Sequence, residues 1–286
     1  MANLKEIRSR IASVSSTMQI TSAMKMVSAA KLKKAQDAIT AMRPYADTLT
    51  ELLQNLSGSI EDASGSVYAT ERPVQKVLLV AITSNRGLCG GFNSNIIKEV
   101  VNQRDNNYAS EQVDVFTIGK KGNDILSKDF SVAENRGDVF DELTFANVAT
   151  VADQLMALYA GGGYDRIDLV YNRFKNAATQ IVTVEQFLPI VPVAAETASN
   201  SDYLYEPAQE EIVSTLIPKA LKTQLFKALR DSFASEHGAR MTAMHKATDN
   251  ATELRDQLKL TYNKARQAAI TNEILEIVGG AEALNG

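Results

Sequence analysis

Cysteine occurs once in this 286-residue chain, at Cys89, and histidine twice, at His237 and His245. A single thiol leaves no internal disulfide, which fits a reducing compartment. Cys89 has no neighbouring histidine, so a thiolate nucleophile is not expected. The histidines lie eight residues apart with no cysteine at ligand spacing, so they read as solvent-facing or packing residues and not as a metal site. The apolar runs are short: VLLVAI at 77–82 is far below what crosses a bilayer. Early charges at Lys5, Glu6, Arg8 and Arg10 exclude an ordinary signal peptide. No serine stands in a G-x-S-x-G frame. A glycine-rich stretch exists, SNRGLCGGFN at 84–93, but its spacing is G-x-x-G-G. That is neither the dinucleotide nor the P-loop fingerprint. No acidic residue ends the following predicted strand to hold a ribose, so a tight structural turn is expected there. No catalytic residue, cofactor or metal is expected anywhere in the chain.

Long helical stretches are what the chain has in abundance. From Pro218 to Val278 there is no further proline and one glycine, Gly238. Pro218 suits a first helical turn, and Gly279-Gly280 suits a stop. Such a helix would be about 90 Å long, roughly twice the span of a compact domain. Its apolar stripe therefore needs a partner, and the N-terminus supplies one. After an N-x-x-E capping pattern at Asn3 and Glu6, alternating steps of three and four pick out a seam running from Leu4 to Leu56. Thirteen of its sixteen positions are apolar, which implies a coiled coil. Thr21, Lys25 and Ser28 interrupt it, while Ile20, Met24 and Val27 form a stripe displaced round the helix. Two readings stand: a local slip of the packing, or a surface that touches something besides the partner helix. If the chain between is one domain with neighbouring ends, the helices run antiparallel. Pro44 should then kink the first near its inner end, and Gly238 should mark close approach of the two.

Charge and pattern divide the chain into a helix over 1–56, a linker over 57–75, an α/β domain over 76–191, a linker over 192–211 and a helix over 212–286. Residues 1–56 carry eight Lys/Arg against four Asp/Glu, and residues 219–286 carry ten against eight. That leaves twelve against twenty-two for 57–218, so basic helices flank an acidic middle. The Lys31, Lys33, Lys34 cluster lacks aromatic interleaving, and no nucleic-acid role is expected in an acidic chain. Predicted strands at 76–83, 113–119, 166–174 and 180–190, with helices at 94–103 and 146–160, give an α/β layer with a mainly parallel sheet. The last two strands pair through an NAAT turn.

The stretches IRSRIASVSSTMQITSAMKMVSAAKL, SNRGLCGGFN, SEHGARMTAMHKATDNA and YNKARQAAITNEILEIVGGAEAL resemble the gamma subunit of F-type ATP synthases, and the resemblance covers nearly the whole chain. It implies a long antiparallel coiled coil plus a central Rossmann-like α/β domain. It further implies a rotor shaft that is not itself an enzyme. The helical pair threads a hexamer of alpha and beta subunits, and the α/β domain meets the epsilon subunit and the membrane ring of c subunits without inserting in the membrane. The shaft couples proton flow to ATP synthesis or hydrolysis at the beta subunits and helps to regulate ATPase activity. By the same resemblance Met24, Lys25, Arg240, Arg266, Gln267 and Thr271 contact the ring. Plant-type thiol control should be absent, since Cys89 is alone. A peripheral place on the cytoplasmic face of a bacterial inner membrane is implied. Two other classes remain open on the residues alone: a nucleotide-using α/β enzyme with helical oligomerisation arms, and a non-rotary coiled-coil adaptor.

Overall fold

A computed structural model describes residues 4–57, 67–68, 72–190 and 209–285. The capping residue Asn3 and most of the two predicted linkers, at 58–66, 69–71 and 191–208, lie outside the described residues. Helix α1 runs Leu4–Ser57, and helix α5 runs Gln209–Asn285. Between them come β1 (Lys76–Ile82), α2 (Phe92–Asn102), β2 (Gln112–Ile118), α3 (Lys120–Leu126), β3 (Ser131–Asn135), α4 (Phe145–Ala160), β4 (Arg166–Phe174) and β5 (Gln180–Leu188). The chain forms two compact units: Met1–Ser28 with Met241–Gly286, and Ala29–Arg240. This division cuts both long helices instead of separating helices from sheet. The physical reason is that α5 from Ile217 to Leu229 belongs to the core of the sheet unit.

In the sheet unit the strand order is β3-β2-β1-β4-β5. β1 is parallel to β2 and β4, β2 is parallel to β3, and β4–β5 is antiparallel. β1 is almost continuously apolar because both its faces are covered. On one face α4 and α5 bring Val148, Leu155, Tyr159, Leu221 and Leu225 against Leu78, Val80, Phe116 and Leu169. On the other, α2 and the end of α3 bring Ile96, Val100 and Leu126 against Val77, Leu79 and Val170. A buried carboxylate, Asp168, stands on that second face. It accepts from the Tyr108 hydroxyl and from Arg166 Nε at 3.1 Å, so its charge is compensated. The NAAT turn forms as expected, with Asn176 and Thr179 exchanging backbone bonds at 3.2 and 3.3 Å. α3 and β3 were not expected. β3 is a short, mostly exposed edge strand whose sequence, SVAEN, carries no apolar run.

In the other unit the two helices are antiparallel. The Arg8 guanidinium donates to the Tyr262 hydroxyl at 2.9 Å, and the Thr252 hydroxyl lies 3.3 Å from Met18 Sδ. The Thr248 hydroxyl lies 2.9 Å from that of Thr21. Partner numbers thus fall as α1 numbers rise. The seam does not slip at its polar positions. Thr21 and Ser28 are buried in it and donate to helix carbonyls, Thr21 to Thr17 at 3.0 Å and Ser28 to Met24 at 2.8 Å. The displaced stripe stays outside, with Ile20 60% and Val27 57% exposed.

Two helix boundaries differ from expectation. Pro218 does not start α5, which begins at Gln209 and contains the proline. Glycines 279 and 280 do not stop it, since the helix continues to Asn285. Proline and glycine bias a helix end without enforcing one. Glu6 pairs with Arg10 at 2.8 Å, one turn on. α1 also continues through Pro44 to Ser57.

With Cys89 replaced by alanine, cysteines at Ile11 and Leu258 should form an intrachain disulfide under mild oxidation. Mass analysis that finds no such link would show the pairing to be out of register.

Candidate contact surfaces and the seat of the second helix

In the sheet unit the carboxyl ends of β1 and β4 are where sequence order reverses, the position at which open α/β sheets receive nucleotides. Here α5 occupies that position. Ser235 Oγ donates to the Asn172 carbonyl at the end of β4 at 2.9 Å, and Asn172 Nδ2 donates to the Phe92 carbonyl at 3.1 Å. Ala239 packs on Cys89 and Phe92. The glycine-rich turn also fills its own interior. Asn93 reaches back, accepting from the Ser84 N–H at 2.9 Å and donating to Ser84 Oγ at 2.9 Å. Gly90 adopts φ 59°, which glycine accommodates readily, while Leu88 holds φ 63° with its side chain mostly exposed. Burial pushes the Cys89 thiol above its ordinary range, which is the opposite of nucleophile activation. Among the described residues no cluster of His, Cys, Asp and Glu could hold a metal ion.

Gly238 has a steric role, but not between the helices. A Cβ there would stand 3.2 Å from Ala177 Cα and 3.3 Å from its carbonyl oxygen, in the β4–β5 hairpin. The close approach is of α5 to the sheet. Two residues later Arg240 is almost fully buried. It donates to Glu236 Oε1 at 2.6 Å and, through its other terminal nitrogen, to the carbonyls of Arg86 at 3.1 Å and Gly87 at 3.3 Å. Hydrogen bonds to a charged group of this kind contribute about 1.5–3 kcal/mol each. Burial pushes the Glu236 carboxyl up, against the opposing pull of Arg240, Lys31 and Arg86. His237, between them, packs edge-on against Phe233 at 4.5 Å. Burial first, then Arg240 and Lys31, hold its imidazole down at about 3 from an ordinary 6.5. It is a neutral packing residue, whereas His245 is exposed and lies 3.3 Å from Asp249.

Of the six expected contact residues, Arg240 belongs to the sheet unit and the other five to the helical unit. Arg240 is almost fully buried, and both its terminal nitrogens bond within the chain. Met24 and Lys25 are half-buried, beside exposed Ile20, Met26 and Val27. Arg266, Gln267 and Thr271 are exposed, and the Thr271 hydroxyl donates to the Gln267 carbonyl at 2.9 Å. Every residue from 266 to 281 is exposed, including Ile270, Ile274, Leu275, Ile277 and Val278. Five large apolar side chains on one helix end in water make a patch that calls for a cover. The Glu236–Arg240 pair and the Ser235–Asn172 bond were not read from sequence. The i, i+4 spacing of opposite charges was the only signal, and it is common on solvated helix faces.

The family model described as ATP synthase matches residues 3–284. The ATP synthase gamma chain of Flavobacterium johnsoniae is 74% identical over the full length of both chains, and that of Cytophaga hutchinsonii 52% over both. Among solved structures, a chain of the Tetrahymena thermophila mitochondrial ATP synthase central stalk and c ring matches at 29% identity and TM-score 0.59, covering 80% of this chain and 99% of that one. A rotor chain of the Euglena gracilis mitochondrial ATP synthase matches at 22% identity and TM-score 0.70, covering 93% and 98%, and shares the fold.

The depressed His237 sets a pH dependence. The unfolded chain binds a proton below about 6.5 that the folded chain refuses until about 3. Stability therefore falls as pH drops through that window. His237→Phe should flatten the acid limb of stability between pH 6.5 and 3, measured by denaturant midpoints, and an unchanged slope would exclude His237 as its source.

Proposed function

The chain belongs to the ATP synthase gamma-chain family, and from that premise we propose how this rotor shaft meets its partners and transmits rotation. It is a non-catalytic subunit, and ATP is made or split on other chains of the complex. The observation that carries the reading is the end of α5. From Arg266 onward the helix is exposed all round and apolar on much of its surface, with no cover from the described residues of its own chain. Such a tip fits an apolar collar supplied by a surrounding hexamer of alpha and beta subunits. Arg266, Gln267 and Thr271 sit just before the apolar turns. There they would make hydrogen bonds that form and break as the shaft turns, each worth about 0.5–1.5 kcal/mol net and more with a charge.

On α1 the same logic applies to Ile20, Met24, Met26 and Val27, with Lys25 beside them. Ile20, Met26 and Val27 are exposed and Met24 is half-buried, so this face is available to a second surface. A shaft that pushes on successive subunits needs such a face, lopsided about its axis. The α/β layer is the part that would rest on the membrane ring of c subunits and on the epsilon subunit. Among the described residues no helix is long and apolar enough to cross a membrane. A peripheral position on the cytoplasmic face of the bacterial inner membrane agrees with the bacterial sources of the similar gamma chains. Through these contacts the chain couples proton flow to synthesis or hydrolysis and takes part in restraining ATPase activity.

Replacing Arg266 and Gln267 together by alanine should lower steady-state ATP turnover of the assembled complex while helicity and subunit stoichiometry stay as in the parent. Undiminished turnover in a correctly assembled double variant would mean that the tip centres the shaft without acting on the catalytic sites.

A further inference from the structure

The run Ser235–Arg240 of α5 seats on the sheet unit through contacts of two kinds. Gly238 and Ala239 make a smooth close approach, to Ala177 and to Cys89 with Phe92. Smooth van der Waals seats resist separation, but a helix can turn on them with little resistance. Directional bonds resist turning. Ser235 supplies one, to the Asn172 carbonyl, and Arg240 supplies two more: its guanidinium spans from Glu236, on its own helix, to the backbone carbonyls of Arg86 and Gly87. The turn that it grips is itself anchored. Ser84 is bonded to Asn93 at the start of α2, and the Phe92 carbonyl accepts from Asn172 on β4. A load carried by α5 therefore reaches β1 and β4 through buried side chains that are each bonded to backbone.

We propose that Glu236 and Arg240 are a positioning pair that locks α5 against rotation on the sheet, making the β1–α2 turn the joint through which torque passes between helix and α/β layer. Glu236 aims the guanidinium and balances its charge. Arg240 holds the carbonyls. The bonds that satisfy the buried guanidinium run to a different element, so they also tie α5 to the β1–α2 turn. Burial also withdraws the pair from salt screening, so the lock holds at cellular ionic strength. The glycine-rich turn, which carries no nucleotide fingerprint, thereby gains a reason for its shape: it turns two successive carbonyls toward one guanidinium. The inference rests on the rotor reading and adds to it the place where shaft and foot are joined.

The test uses the whole complex in sealed vesicles, carrying the parent chain, the double variant Glu236→Gln/Arg240→Met, or Arg240→Lys. The double variant removes both charges together, so no uncompensated buried charge is left. ATP hydrolysis, ATP-driven acidification of the lumen and subunit stoichiometry are measured for each. The expected result is that the double variant assembles and hydrolyses ATP but loses acidification per ATP split. Arg240→Lys, which keeps a charge and can still donate to a carbonyl, should recover part of that coupling. An unchanged ratio of acidification to hydrolysis in the assembled double variant would overturn the joint. So would a proportional fall in both activities with a ratio equal to the parent's, the mark of a stability defect alone. If the double variant does not assemble, Glu236→Gln with Arg240 retained takes its place, and a ratio equal to the parent's there overturns the joint as well. A parent complex that assembles and hydrolyses ATP but never acidifies the lumen would instead bring down the rotor reading, and the joint with it.

Discussion

The seating of α5 on the sheet is the constraint from which most of the sheet unit follows. One helix supplies Ile217, Leu221, Leu225 and Leu229 to the core beside α4, then continues across the carboxyl ends of β1 and β4. Because it covers the position where the strand order reverses, the α/β layer cannot use that position as related folds do. The same helix therefore sets what the domain is for. It is a platform gripping a shaft, with the crevice that elsewhere receives a cofactor taken up by the shaft's own side chains.

Burial along α5 changes character with position, and its chemistry changes to match. Between Asp231 and Arg240 nearly every residue is buried, polar ones included. Ser235 is partnered with Asn172, Glu236 with Arg240 and Arg240 with two carbonyls, whereas the Ser232 hydroxyl and both His237 ring nitrogens are buried without a hydrogen-bond partner. Beyond Met244, Ala251 alone is buried among the described residues, and every residue from Arg266 to Ala281 is exposed. In the pair with α1, small polar residues stand at the seam without breaking it. Thr21 and Ser28 satisfy their hydroxyls on their own helix, so they cost little, and the large apolar groups Ile20 and Val27 remain outside.

The placement of exposed apolar groups separates this chain from a simple helical hairpin. A hairpin optimised only to fold would have turned Ile20, Met26 and Val27 inward or made them polar. Instead Ile7, Thr21 and Ser28 are buried, and Ile20, Met26 and Val27 face out. Stability is thereby given up on an outer face, which is what a surface meant for other chains requires.

Sequence alone determined what depends on spacing along the chain. The three-four repeat from Leu4 marked the faces of α1, the apolar run at 77–82 marked β1, and the NAAT turn marked the β4–β5 hairpin, because each is set by neighbours within a few residues. The long terminal motifs also carried the family. Tertiary structure decided the rest. β3 exists because β2 offers it an edge, not because SVAEN has strand character of its own. Pro218 and Gly279-Gly280 lie inside α5, where local bias does not set the ends. Gly238 answers to Ala177 in a hairpin some sixty residues away, and Arg240 to the carbonyls of Arg86 and Gly87. A charged residue written on a helical face looks the same whether that face meets water or a buried turn. Only the packing of distant segments tells them apart, since desolvation and directional bonding belong to the assembled environment and not to the residue.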